Sequence, residues 1–198
     1  MTVFMNICYY ALIGIFAQNL VFTSGVGAER ALRMPYRRGR ILIATAAVTF
    51  FSLVSVSAMH LIRVLSVFLP LLEWIRVLLL VALLVTVYMG ILWICRRSPS
   101  KIFKAVAEAL PSGVFNTVVI MVGITSQMLS MSYGQAVGYA IGTGFGFLLA
   151  TLLVQESIDR IENPATPPAF VGLPTLLIYI GILSMAFVGF TGGPSLFL

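Results

Sequence analysis

Two short stretches carry the residues best placed for chemistry. The first is Gln18-Asn19-Leu20-Val21-Phe22-Thr23-Ser24-Gly25-Val26-Gly27, and the second is Leu110-Pro111-Ser112-Gly113-Val114-Phe115-Asn116-Thr117. Each sets an asparagine inside an apolar run, where an amide is costly unless something hydrogen-bonds to it. Pro111 removes a backbone donor and Gly113 loosens the helix around it. Both stretches therefore read as interrupted helices buried against protein, the only place where a bilayer tolerates irregular backbone. A carboxylate stands near each, Glu29 beyond the first and Glu108 ahead of the second, and such a pair would suit cation binding. The plainer reading is electrostatic housekeeping. Glu29 adjoins Arg30 at the start of a basic loop as a solvated interfacial carboxylate, and Lys104, four residues before Glu108, neutralises it.

The other reactive side chains are isolated. Cys8 and Cys95 lie inside or at the end of apolar runs and form no CxxC, no His/Cys cluster and no disulfide framework. His60, the lone histidine, has no partners for a metal site and is expected to hydrogen-bond at the membrane interface. Between Arg63 and Arg76, Pro70 and the i,i+3 pair Glu73/Arg76 read as an interfacial bend with a surface ion pair. No P-loop, dinucleotide fingerprint, HExxH or GxSxG is present, so hydrolytic or nucleotide chemistry is not expected.

The elements that must position these groups follow from composition. Of 198 residues, 60% are hydrophobic and 9% charged, with a mean hydropathy of +1.07. A soluble domain carries about 25% charged residues, so a water-soluble enzyme is excluded. At roughly 20 residues per crossing, the apolar content supplies about six transmembrane helices. The apolar runs are 3–25, 41–62, 77–95, 107–131, 134–155 and 170–191. The chain is thus expected to be an all-α membrane protein forming a single integral membrane domain, 1–198. Its N-terminal run lacks a basic lead and a clear cleavage site, and reads as a retained helix rather than a signal peptide.

The net charge of +6 and pI near 9.8 reflect orientation rather than nucleic-acid binding. Arg30, Arg33, Arg37, Arg38 and Arg40, then Arg96, Arg97, Lys101 and Lys104, then Arg160, all follow the first, third and fifth runs; only Arg63 and Arg76 fall on the other side. The positive-inside bias puts the larger group in the cytoplasm and both termini outside. Tyr9, Tyr10, Trp74 and Trp93 suit the headgroup belt.

A shift of 97 residues places Asn19 on Asn116 and Val21 on Val118. Three helices then belong to each half, giving inverted repeats of approximately 1–95 and 104–198 whose first helices are broken, a plan common among transporters. The fifth run carries Gly134, Gly138, Gly142 and Gly146, then Ala150, at a constant spacing of four, with Gly144 a further small position. Residues four apart share a helix face, so this is a flat seam along which another helix can approach closely.

The chain resembles the Rnf/Nqr integral membrane subunits, the paired six-helix proteins of the Rnf electron transport complex and the Na+-translocating NADH:quinone reductase. The resemblance runs from Phe16 to about Gly192 and is most specific in YGQAVGYAIGTGFGFLLATLLVQESIDRIENPATPPAFVGLPTLLIYIGILSMAFVGFTG. Its glycine-rich helix, short charged loop, Gly-Leu-Pro entry and closing Ala-Phe-x-x-Phe-x-Gly all look like that family, and the orientation is similar to its RnfA/NqrE branch. The resemblance implies a bacterial inner-membrane, ion-translocating complex, a homologous partner subunit of inverted topology, further complex subunits and surrounding lipid. It also implies a [2Fe-2S] cluster held by cysteines at the broken helices of two paired subunits. The corresponding positions here are Glu29, two residues after Gly27, and Thr117, directly after Asn116. Thiolates are the usual ligands of such a cluster, so no cofactor is expected from this chain. An acidic position late in the family's third helix falls at about Leu92. The chain then reads as a scaffold or ion-path subunit without its own iron–sulfur site. The alternatives are a small stand-alone transporter or channel on the same scaffold, and a redox subunit whose cluster is held mostly by a partner's cysteines.

Overall fold

The computed structural model describes residues 2–27, 38–69, 71–97, 101–161 and 172–190. Every element among them is helical: α1 (Thr2–Leu12), a π turn (Ile13–Ala17), α2 (Leu20–Ser24), α3 (Arg38–Ser66), α4 (Leu71–Arg97), α5 (Lys101–Val114), α6 (Thr117–Met128), α7 (Tyr133–Ile161) and α8 (Leu173–Phe190). Three stretches, 41–66 in α3, 73–97 in α4 and 133–157 in α7, are long and apolar enough to cross a bilayer. Phe4–Ala17, Thr117–Met128 and Pro174–Gly189 are shorter apolar helices. α3 and α7 have 29 residues each, or about 43 Å at 1.5 Å per residue, and overshoot a hydrocarbon core of roughly 30 Å.

α7 is the central rod, with α1 and the π turn on one side and α3 on another. α5 and α6 pack on α3, and α8 leans on α2, where Phe22 and Phe187 meet at 4.5 Å between ring centres. α4 stands outermost: Leu78, Met89, Trp93 and Ile94 are exposed, whereas Leu80 and Leu84 on its inner face are buried. Lipid is as apolar as these side chains, so close packing and hydrogen bonds hold such a bundle together more than withdrawal of surface from water.

The fourth apolar run breaks inside the expected stretch 110–117, but past its proline. α5 continues through Pro111 and ends at Val114, with the Phe115 N–H donating to the Pro111 carbonyl at 3.1 Å. The interruption sits instead at Phe115–Asn116, where an asparagine is available to start a new helix. Gly113 stands one residue before the end of α5. A Cβ there would lie 2.9 Å from the Ala47 Cβ and 3.0 Å from the Phe51 ring, so its bareness lets α5 press on α3.

Candidate functional site

The first break opens as α1 widens into the π turn, closed by the Gln18 N–H on the Ile13 carbonyl at 2.7 Å. Asn19 then adopts extended backbone (φ −67°, ψ 105°) and begins α2. Its Oδ1 accepts from the Val21 N–H at 3.1 Å, satisfying a donor that a helix start would otherwise leave bare. Its Nδ2 donates backwards to the Ile15 carbonyl at 3.0 Å and across to the Gly146 carbonyl of α7 at 3.2 Å. The Thr23 hydroxyl donates to the Asn19 carbonyl at 2.7 Å. One side chain thus caps the helix that follows, ties off the one before and anchors both to α7. After five residues α2 closes at Gly25 (φ 67°), with the Val26 N–H reaching back to the Leu20 carbonyl at 2.9 Å. This left-handed helix end strongly favours glycine.

The second break repeats the cap. Asn116 is extended (φ −99°, ψ 124°), and its Oδ1 accepts from the Val118 N–H at 3.1 Å to start α6. Asn19 and Asn116 are both buried. Their second amide groups differ: among the described residues the Asn116 Nδ2 has no hydrogen-bond partner.

The two breaks touch. Gly27 (φ 80°) lies on the start of α6, where an added Cβ would collide with the Val118 side chain and stand 3.0 Å from the Asn116 Oδ1. The Phe147 ring would be 3.6 Å from that same Cβ, and Gly146 beside it receives Asn19. Adjacent residues of α7 therefore receive the two ends of the first break.

The glycine face of α7 is occupied from within the chain. Gly138 abuts Ile7, Gly142 abuts Ala11, and Gly146 meets Gly14 and Ile15. Gly14 answers with its own bare face, since a Cβ there would lie 2.9 Å from the Tyr139 carbonyl. Gly134, one turn before Gly138, is half-buried, and Gly144 points instead at Thr49 of α3. A partner subunit is therefore not expected along Gly138, Gly142 and Gly146, because α1 already covers them.

The remaining sequence-derived positions scatter. Thr117 is exposed at the first position of α6, beside exposed Phe115, whose ring meets Tyr88 at 5.7 Å. Glu29 lies outside the described residues. Glu108 is exposed on α5 and Leu92 is half-buried on α4. The His60 ring rests against Tyr133 at 5.2 Å, and the Tyr133 hydroxyl lies 3.2 Å from Ser57. Cys8 is exposed on α1, and Cys95 is buried near the end of α4.

Chemically, the junction presents amides, carbonyls and a hydroxyl. Among the described residues no three His, Cys, Asp or Glu side chains gather to hold a metal ion. A thiolate-ligated cluster does not fit the donors at Asn19, Gly27, Asn116 and Thr117, none of which is sulfur. The direct contact between Gly27 and the Asn116 cap had no reading in the sequence. Its only signal was a small residue, which in an open loop would mean little.

The sequence model of a family described as "Rnf-Nqr subunit, membrane protein" matches residues 7–193. A component of the Na(+)-translocating ferredoxin:NAD(+) oxidoreductase complex of Acetobacterium woodii is 24% identical over 192 residues, covering 95% of this chain and 98% of the relative. A component of the ion-translocating oxidoreductase complex of Glaesserella parasuis is 29% identical over 61% of this chain and 62% of its own length. Its counterpart in Syntrophotalea carbinolica is 27% identical over 61% of this chain and 63% of its own length. All three carry the letter A within their complexes.

Proposed function

Since this chain belongs to the Rnf-Nqr subunit family of membrane proteins, we propose that it works as an integral membrane subunit of an ion-translocating electron transport complex. The family match across residues 7–193 carries this reading. The chain crosses a bacterial inner membrane six times, as two inverted three-helix repeats with both termini outside. The shared asparagine cap at Asn19 and Asn116, 3.1 Å in each half, supports the repeat.

Within the complex its role is scaffold or ion path rather than electron stop, because the breaks offer amide and hydroxyl oxygens and nitrogens where a cluster would need sulfur. The homologous partner of inverted topology docks on the face bearing exposed Phe115 and Thr117, since the glycine seam is already covered. A mild-detergent pull-down of this chain from its native membrane tests the proposal. Flavin-bearing and other complex subunits are expected to come with it, and Thr117→Ala is expected to leave any iron–sulfur absorption of the complex unchanged. A chain that purifies alone and moves ions in liposomes would instead be a stand-alone transporter. Iron bound to the isolated chain would overturn the scaffold role.

A further inference from the structure

Fifteen of the eighteen charged residues fall in 29–40, 96–108 and 156–162; only Arg63, Glu73 and Arg76 do not. The described ends of those segments lie at the opposite end of the bundle. Ile41 and Leu42 at the start of α3 share a groove with Gln155 and Glu156 of α7, and α4 ends on Arg96 and Arg97. At the near end, where α3 turns into α4, all three exceptional charges line one cavity of about 160 Å³, together with Ser66, Gln127 and Ser130.

The cavity is held in shape. Ser66 is buried, and its hydroxyl donates to the Arg63 carbonyl at 2.8 Å with the Glu73 Oε1 at 3.4 Å, the limit of bonding distance, so the end of α3 meets the start of α4. Ser130 on the α6 side has φ 48°, unusual for a residue other than glycine. Between the lining residues Ser66 and Arg76 the chain carries an apolar collar: Val67, Phe68, Leu69, Leu71 and Trp74 are exposed, Phe68 by 80% and Trp74 by 89%. Trp74 between the charged Glu73 and Arg76 suits the depth where acyl chains meet headgroups.

Arg63 and Arg76 line the cavity together, and guanidiniums are the side chains best shaped to hydrogen-bond a phosphate diester. The two guanidiniums outweigh the single charge of a diester, and Glu73 in the same lining gives a cationic group on the same headgroup its own partner. We propose that this cavity binds the headgroup of an amino-phospholipid of the phosphatidylethanolamine class, its phosphate on Arg63 and Arg76 and its ammonium on Glu73. The apolar collar favours a lipid over a soluble phosphate, because it gives the acyl chains a surface beside the cavity.

The test uses the full chain, delipidated in detergent. Melting temperature is followed against short-chain phosphatidylethanolamine, phosphatidylglycerol and phosphatidylcholine of equal chain length, and against inorganic phosphate. Phosphatidylethanolamine is expected to stabilise most and phosphate alone not at all. Arg63→Gln/Arg76→Gln is expected to weaken that lipid's binding by about tenfold or more, with Arg63→Lys/Arg76→Lys retaining part of it. Glu73→Gln is expected to erase the preference for ethanolamine over glycerol, and this arm decides should the double variant not fold. Equal stabilisation by all three lipids, an equal effect of inorganic phosphate, or an unchanged headgroup preference in Glu73→Gln would each overturn the proposal.

Discussion

The two helix breaks use one device and finish it differently. At each, an extended asparagine turns its Oδ1 onto the N–H two residues ahead at 3.1 Å. In the first, the Nδ2 is spent on Ile15 and Gly146; in the second it faces no acceptor among the described residues. A buried donor without a partner costs about 1–3 kcal/mol relative to one that is satisfied. Helix starting therefore depends on the shared half of the amide, while an amide hydrogen bond to α7 is made, among the described residues, by the first break. The first break is a joint closed by the central helix. The second is held in place by neighbours, with Gly27 pressed against Asn116 and Val118.

If anchorage to α7 distinguishes the first break, forcing α7 away should be the most damaging change. Gly142→Leu drives a side chain into the backbone of Ala11. Repacking cannot absorb a collision with main chain, so more than about 4 kcal/mol is expected, beyond the usual cost of overpacking. The readout is loss of the monodisperse peak in detergent size-exclusion chromatography. Survival of that peak would mean α1 does not need the seam. Gly27→Ala tests the contact between the breaks. It strains a left-handed residue and pushes on Val118, for a combined loss of about 2–3 kcal/mol, measured as a fall in unfolding midpoint. Asn19→Ser keeps a capping oxygen but loses both donations to Ile15 and Gly146. At about 1 kcal/mol for each lost bond, roughly 2 kcal/mol is expected.

Much of this was legible in the sequence, and the exceptions have physical causes. Asn19 and Asn116 marked the breaks because an amide in an apolar run must be hydrogen-bonded, and capping a new helix is the nearest way to achieve it. Pro111 looked like the breaker in the second half, yet α5 passes through it; the position of the break follows the residue that can begin a helix. The glycine spacing announced close approach but not the partner. Gly138 and Gly142 met α1 of the same chain, a choice that depends on which helix lies next to which. The charged cavity was less legible still. Arg63 and Arg76 are thirteen residues apart in sequence, and only the α3–α4 turn brings them to one opening, with Glu73 beside Ser66.

The smallest expected effect gives the sharpest comparison. Asn116→Ser supplies a hydroxyl oxygen, one of the best helix-starting groups, so the cap on the Val118 N–H survives. Unlike Asn19→Ser, it discards a donor that bonds to nothing among the described residues. Loss of packing from the smaller side chain and relief of the unpaired amide then oppose each other, and a net change within about 0.5 kcal/mol is expected. Both variants are read in one detergent and one lipid background, as the difference between their unfolding midpoints. The pair of serine substitutions is chemically identical, so any excess loss at position 19 measures the two donations of its Nδ2, to Ile15 and to Gly146 of α7. Equal losses at the two positions would mean that the second amide has an acceptor after all, and that both breaks are closed in the same way.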